Sequence, residues 1–146
     1  MSHILVTGTT GFIGRSLCVE LLRRGHSVRA ALRREQDGER LAIAGVEHVI
    51  IGDIGAATDW HAALDGIEAV VHLAARGHVM RDETSDPLKA YRAVNSEGSL
   101  NLARQLLDTL RRCYTLQLES EIEPLATVEL DDATFCLFKR MRVRKA

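Results

Sequence analysis

Three glycines near the start of the 146-residue chain are spaced so that they could hold a phosphate group. Gly8, Gly11 and Gly14 lie three residues apart in the segment TGTTGFIG. The first would let the chain turn sharply, the second would leave room for a ligand against the backbone, and the third would let a following helix pack closely. The N–H groups and the dipole at the start of that helix favour negative charge. The spacing therefore predicts the pyrophosphate site of a dinucleotide.

This motif has that meaning only where a strand precedes it and a helix follows it. The segment His3–Thr7 is a short apolar run with β-branched residues, which predicts a buried strand. Residues 12–24 carry apolar side chains at helical spacing, and Gly25 supplies a C-terminal stop. Both requirements are met, so the sequence favours a nucleotide site over a glycine-rich turn that binds nothing.

The rest of the chain predicts alternating strands and helices. Apolar runs predict further strands at 27–32, 46–51 and 67–75. Helical patterns cover 58–64, capped by Thr58 or Asp59, and 88–112, with a short helical turn at 41–44 and polar connections at 35–40 and 76–87. Such alternation predicts right-handed crossovers and a parallel sheet covered on both faces. The fold class is therefore α/β, a Rossmann-type parallel sheet with flanking helices, incomplete at about four strands.

The end of the second predicted strand bears on the choice of cofactor. An acidic residue there would bind the adenosine ribose of NAD, but Leu32 is followed by Arg33 and Arg34. A guanidinium at this point suits a 2′-phosphate and gives a slight preference for NADP over NAD. The alternative is that both arginines are solvated surface residues.

Composition excludes several other classes of protein. The net charge of −1 gives no general indication of nucleic acid or of an anionic membrane as partner. Three widely spaced cysteines indicate reduced thiols and a cytoplasmic location. No long apolar run predicts a membrane span or a signal peptide, and the six histidines have no metal-binding spacing.

Four motifs in order give a resemblance to a known family. TGTTGFIG is followed by GDI at 52–54, HLAA at 72–75 and AVNSEGSLNL at 93–102. Over about residues 3–112 the chain resembles the extended short-chain dehydrogenase/reductase family, the NAD-dependent epimerases and dehydratases. The likeness is greatest to UDP-glucose 4-epimerase-like enzymes of bacterial surface-polysaccharide pathways.

The resemblance implies a role for each matching residue. Asp53 would bind the adenine amino group with Ile54 against the ring, Arg33 would lie by the adenosine ribose, and Asn95 would stabilise the active-site end of the sheet. The residues along the pyrophosphate would be Gly8, Thr10, Gly11, Phe12, Ile13 and Gly14. Those under the cofactor would be Leu73, Ala74 and Ala75. The resemblance also implies a nucleotide-sugar substrate for the full-length family, with a homodimer through helices that include 88–112 as one candidate assembly.

The catalytic pair implied by the resemblance is missing from the sequence. The family uses a tyrosine followed by a lysine four residues on, because side chains at i and i+4 share a helix face. Here Tyr91 is followed by Asn95 and Tyr114 by Leu118. No residue of the chain is therefore predicted to be catalytic.

The character of the chain changes after Cys113. The eleven glycines all lie at or before Gly98, and the divergent tail, 113–146, ends in KRMRVRK. The preferred interpretation is a truncated or frame-shifted copy with a tail that is read-through or disordered. A small nucleotide-binding or regulatory module, and one part of an enzyme completed by another polypeptide, remain the alternatives.

Overall fold

The computed structural model describes residues 1–77 and 86–115, which form a parallel sheet covered by helices. The four strands are β1 (His3–Thr7), β2 (Ser27–Leu32), β3 (Val46–Ile50) and β4 (Ala69–His72). They lie in the order β3-β2-β1-β4, and every neighbouring pair is parallel. The strand order reverses between β1 and β4, so the carboxyl end of β1 opens onto the crevice where such sheets bind ligands. The predicted α/β Rossmann-type fold is confirmed.

Within residues 1–77 and 86–115, five α-helices and one π-helical segment connect or follow these strands. They are α1 (Phe12–Arg23), α2 (Glu35–Leu41), α3 (His61–Leu64), α4 (Pro87–Arg92), the π-helical segment Ala93–Gly98 and α5 (Ser99–Thr115). The last three are continuous, so the helix predicted at 88–112 exists but contains a wider turn in its middle. π-helical turns inside α-helices are frequent at functional sites.

The two central strands, β1 and β2, are largely buried because helices cover both faces of the sheet. On one face, Ile4, Val6 and Val28 pack against Cys18 of α1. On the other, Leu5 packs with Trp60, which directly precedes α3, with Leu64 of α3 and with Leu102 of α5. The burial of Cys18 raises the pKa of its thiol, which makes it a core residue rather than a reactive one.

The prediction of a polar connection at 35–40 and a helical turn at 41–44 is wrong. Residues Glu35–Leu41 form α2, and the chain leaves the helix at Ala42 with φ of 46°. The segment misleads because it is polar and contains Gly38, a residue that weakens helices. Gly38 has a packing reason to be there: a Cβ at this position would lie 2.8 Å from Nδ1 of His48. Leu41 is the large apolar side chain of α2 that is fully buried.

Two further elements are shorter than predicted. The strand predicted at 67–75 is restricted to Ala69–His72, and the helix predicted at 58–64 to His61–Leu64. The residue at the N-cap is Trp60, not Thr58 or Asp59 as predicted, and its side chain makes no cap bond. Asp59, one residue earlier, accepts the N–H of His61 at 2.9 Å. Thr58 instead folds back onto the preceding loop, as described below.

The predictions that fall on residues 78–85 and 116–146 lie outside the described residues. Within the described part of the chain, no helix is both long enough and apolar enough to cross a membrane.

Candidate functional site

The glycine-rich turn begins at the carboxyl end of β1 and is packed against the end of β4. Gly8 has a backbone φ of +70°, a conformation that residues with a Cβ rarely adopt. A Cβ on Gly8 would lie 2.7 Å from the nitrogen of Ala74 and 2.8 Å from the carbonyl carbon of Leu73. The two chain segments that were predicted to line the cofactor are therefore in direct backbone contact.

Gly14 brings the first turn of α1 onto this same turn. A Cβ on Gly14 would overlap the carbonyl oxygen of Gly8 and would lie 2.7 Å from the Cα of Thr9. By contrast, a Cβ on Gly11 would approach one group closely, the Gly8 oxygen at 3.2 Å. The side of the turn away from the sheet is open, since Thr10, Gly11, Phe12 and Ile13 are all exposed. The turn is thus tight on its inner side and accessible on its outer side.

The exposure of Phe12 and Ile13 differs from the amphipathic pattern that the sequence suggests for α1. Their side chains are 92% and 63% exposed, whereas the buried face of the helix is formed by Leu17, Cys18 and Leu21. Two apolar side chains at the mouth of the crevice leave a surface that a ligand or further chain could cover.

The segment after β4 is fixed from below by Thr7, the last residue of β1. The Thr7 hydroxyl accepts the N–H groups of Leu73 and Ala74, each at 3.1 Å. It also lies 2.8 Å from Nδ1 of His72, and Nε2 of that ring lies 2.9 Å from the hydroxyl of Ser99 on α5. β4 ends at His72 because the N–H groups of the next two residues, Leu73 and Ala74, bond to the Thr7 side chain instead of to the neighbouring strand.

The same segment is fixed from above by Asn95. Its side-chain oxygen accepts the N–H of Arg76 at 2.7 Å, and its side-chain nitrogen donates to the Arg76 carbonyl at 3.0 Å. Asn95 lies in the π-helical segment, so the irregular turn carries the residue that clamps this loop. The N–H groups of Leu73, Ala74 and Arg76 are all engaged within the protein, so this segment is held in place by three backbone donors.

The loop that carries Asp53 and Ile54 is held by two amide side chains of α5. Asn101 donates to the carbonyls of Gly55 and Thr58, at 3.1 and 2.8 Å. Gln105 donates to the carbonyl of Thr58 and to Asn101, and accepts the N–H of Trp60. The Thr58 hydroxyl donates to the Asp53 carbonyl at 2.8 Å, which closes the loop on itself.

Gly98 allows this loop to approach the helix closely. A Cβ on Gly98 would lie 2.5 Å from Cγ2 of Ile54 and 3.2 Å from the nitrogen of Gly55. Gly98 is buried at the end of the π-helical segment. The absence of a side chain at Gly98 thus allows the side chain of Ile54 to lie directly against the helix.

Arg33 and Asp53 lie together at the far end of the crevice. Nη1 of Arg33 is 4.0 Å from Oδ1 of Asp53, and the two side chains are 64% and 86% exposed. An exposed ion pair of this length contributes little to stability. Both groups are therefore available to a ligand, at the position where the sequence predicts the adenosine.

The family model for NAD-dependent epimerases and dehydratases matches residues 4–121 of this chain. The chain belongs to that family. The match extends through all the elements that form the crevice, from β1 to α5.

The relatives are longer than this chain. It is 41% identical over 107 residues to a UDP-glucose 4-epimerase of Vibrio cholerae, in an alignment that covers 73% of this chain and 31% of that enzyme. It is 34% identical over 119 residues to a 3-beta-hydroxysteroid dehydrogenase of Mycolicibacterium neoaurum, which covers 79% of this chain and 32% of that enzyme. The chain spans about a third of the length of these two curated relatives.

Two solved structures have the same architecture as this chain. A UDP-glucose-4-epimerase from Stenotrophomonas maltophila, with bound NAD and formylated UDP-arabinopyranose, is 30% identical and superposes with a TM-score of 0.59. The superposition covers 74% of this chain and 34% of that one. Gre2 of Candida albicans, in complex with NADPH, has a TM-score of 0.63 at 21% identity, which shows a common fold. Its superposition covers 74% of this chain and 33% of that one.

The glycine-rich motif could be predicted from the sequence, but the residues that hold the surrounding loops in place could not. Thr7, His72 and Ser99 were not predicted to interact. Asn101, Gln105 and Gly98 were not singled out either, although they lie in or beside the AVNSEGSLNL motif. The available signal was the density of small and amide residues in that motif, which is unusual for a helix that only covers a sheet.

The described residues hold neither a metal centre nor the tyrosine–lysine pair. Across residues 1–77 and 86–115, no three His, Cys, Asp or Glu side chains come together in a group that could bind a metal ion. The residue four places after Tyr91 is Asn95, whose amide is engaged with Arg76.

Proposed function

We propose that this chain is the NAD(P)-binding part of a nucleotide-sugar epimerase, dehydratase or reductase similar to UDP-glucose 4-epimerase. The observation that carries the proposal is the turn at Gly8, Gly11 and Gly14, which is closed towards the sheet and open towards the crevice. A Cβ at Gly8 or Gly14 would collide with backbone, whereas the outer side of Gly11 has room for a pyrophosphate.

The residues of the crevice fit a dinucleotide. The start of α1 would hold the pyrophosphate through its N–H groups and dipole, next to Thr10 and Gly11. Asp53 and Ile54 would bind the adenine, in a loop that α5 holds in place. Leu73, Ala74 and Ala75 would lie under the cofactor, with Asn95 fixing the loop that follows. When bound, the dinucleotide would supply hydride transfer to and from the sugar.

Arg33 would adjust the preference between the two cofactors. Its guanidinium lies at the adenosine end and is majority-exposed, so it could pair with a 2′-phosphate at the cost of one weak contact to Asp53. We therefore propose that the site binds both cofactors, with a slight preference for NADP.

Replacement of Arg33 is expected to narrow the difference between the two affinities. Arg33→Ala should weaken NADP binding by about tenfold, the effect of losing one charge-assisted contact, and should change NAD binding by less than about twofold. Calorimetric titration of both variants with both cofactors measures this directly. The neighbouring Arg34→Ala is the matched control, and an unchanged NADP-to-NAD ratio in Arg33→Ala would remove Arg33 from the account.

The chain is not expected to catalyse turnover by itself. Oxidation of a sugar hydroxyl by hydride transfer to the dinucleotide requires a general base for the hydroxyl proton, and no tyrosine of this sequence has a lysine four residues on. A nucleotide sugar such as UDP-glucose would then be the substrate of the longer protein from which this crevice derives.

Calorimetry on the purified 146-residue chain tests the proposal. Titration with NAD and with NADP should give saturable binding of one equivalent, and incubation of the loaded chain with UDP-glucose should give no product. Absence of binding by both cofactors would refute the proposed function. Sustained turnover would refute the assignment of binding without catalysis.

A further inference from the structure

The hydrogen bonds around His72 determine which of its nitrogens carries the proton. The Thr7 hydroxyl oxygen already accepts the N–H groups of Leu73 and Ala74. A hydroxyl has two lone pairs and one proton, so the proton of Thr7 is left to donate to Nδ1 of His72. Nδ1 is therefore unprotonated, and the Nε2–H of a neutral ring donates to the hydroxyl of Ser99.

This chain of bonds joins three elements beneath the dinucleotide crevice. Thr7 ends β1, His72 ends β4 and Ser99 begins α5. These hydrogen bonds fix the positions of Leu73 and Ala74. Gly8 packs against the backbone of these two residues so closely that there is no space for a Cβ. A shift in the segment after β4 would therefore displace the turn that is proposed to hold the pyrophosphate.

We propose that His72 is a positioning residue for the dinucleotide site: its ring holds the Thr7 hydroxyl in the orientation that fixes Leu73 and Ala74. Protonation of the His72 ring then weakens dinucleotide binding. This inference rests on the proposed function. A second proton on the ring would turn Nδ1 into a donor, and the Thr7 oxygen cannot accept three N–H groups with two lone pairs. One of the bonds to Leu73 or Ala74 would then be lost.

The surroundings of His72 favour the neutral ring. Thr7 faces it from β1 and Ser99 from α5, and neither carries a charge. In the part of the chain that the structure describes, no charged side chain is hydrogen-bonded or ion-paired to the ring. Burial alone lowers the pKa of His72 below the ordinary value of 6.5. NAD affinity should therefore be constant above neutral pH and should fall as the pH drops through that lowered pKa.

NAD titrations of the complete chain between pH 5.0 and 7.5 test this directly. NAD is the probe because the 2′-phosphate of NADP would itself titrate near pH 6, at about the second pKa of a phosphate monoester. One linked proton changes an affinity by at most tenfold per pH unit, so the Kd of the parent chain is expected to rise as the pH falls through the lowered pKa of His72, by up to tenfold per pH unit below it. Fluorescence of Trp60, the single tryptophan of the chain and a fully buried one, reports that the protein stays folded at each pH.

Matched variants separate positioning from general damage. His72→Asn keeps an acceptor for the Thr7 proton but cannot titrate, so its Kd should change by less than about twofold with pH. Thr7→Ser should retain the pH response of the parent, and Thr7→Val should bind weakly at every pH. His61→Gln, which removes a largely exposed histidine, should behave as the parent does. If His72→Asn and the parent have the same pH profile, the inference is wrong.

A measurement without nucleotide distinguishes this inference from the proposed function. In NMR spectra of the parent chain, the amide resonances of Leu73 and Ala74 should titrate together with the His72 ring, and in Thr7→Val they should not. Failure of NAD and NADP to bind at pH 7.5 would refute the proposed function even if these amides titrate. If the amide resonances of Leu73 and Ala74 do not shift as His72 titrates, the positioning role is refuted even if NAD binds.

Discussion

The substitution Gly8→Ala is expected to abolish dinucleotide binding and to lower the free energy of unfolding by about 2–5 kcal/mol. Part of this cost comes from φ of +70°, which disfavours any residue with a Cβ by about 1–2 kcal/mol. The rest comes from overlap with the backbone of Leu73 and Ala74, which cannot move without breaking its bonds to Thr7. Chemical unfolding followed by Trp60 fluorescence, with calorimetry for NAD, measures both effects.

Gly25→Ala is the matched control for this prediction. Gly25 has φ of +79°, but no atom lies within 4 Å of the position its Cβ would take. It should therefore show the conformational cost alone, about 1–2 kcal/mol, and should retain the parent's affinity for NAD. If the two variants are destabilised equally and Gly8→Ala still binds NAD, the close contact between the turn and β4 is not needed for the site.

The second large effect is expected at Asn95. Asn95→Asp keeps the acceptor for the N–H of Arg76 but replaces the donor to the Arg76 carbonyl by a second oxygen. Loss of this hydrogen bond to a part-buried carbonyl, with a carboxylate oxygen placed against it, costs about 1–3 kcal/mol, which corresponds to roughly a tenfold loss of affinity because the loop is proposed to line the cofactor. Asn95→Ala removes both bonds and should weaken NAD binding at least as much.

The neighbouring Ser96→Ala provides the control. Ser96 lies in the same π-helical segment but is exposed. Removal of its hydroxyl therefore changes the helix surface but leaves the two hydrogen bonds between Asn95 and Arg76 intact. Its Kd for NAD should equal that of the parent chain. If the Kd for NAD of Asn95→Asp equals that of Ser96→Ala, the loop after β4 does not contribute to binding.

The parts of the fold that could be predicted are those that depend on neighbours in sequence. β1 and β2 were predicted to the residue, because an apolar run bounded by turn residues has little choice once both faces of the sheet are buried. α2 was missed because its apolar contribution is limited mainly to Leu41, so it lacks the periodicity that marks a helix. The ends of β4 were overestimated because Leu73 and Ala74 are apolar but bond to a side chain 66 and 67 residues away.

The candidate site divides in the same way. The glycine spacing is a local pattern, and the geometry at Gly8 and Gly14 agrees with the packing predicted from it. The clamps could not be predicted, since they join residues far apart: Thr7 to His72, Asn95 to Arg76, and Gln105 to Trp60. A histidine in an apolar strand is indistinguishable by sequence from any other strand residue. Its function depends on which hydroxyl groups the fold brings to its two nitrogens.

The most direct test of the central claim is a map of where NAD binds on the chain. Amide resonances of the 146-residue protein, followed by NMR as NAD is added, should shift in three segments: 8–14, 53–54 and 73–75. A cavity of about 410 Å³ at the amino ends of the strands, the end opposite the crevice, is lined in part by His3, Glu47 and Glu68; it provides the internal comparison and should show no change. Shifts that are largest at that end, or no shift at residues 8–14 under saturating NAD, would contradict the account.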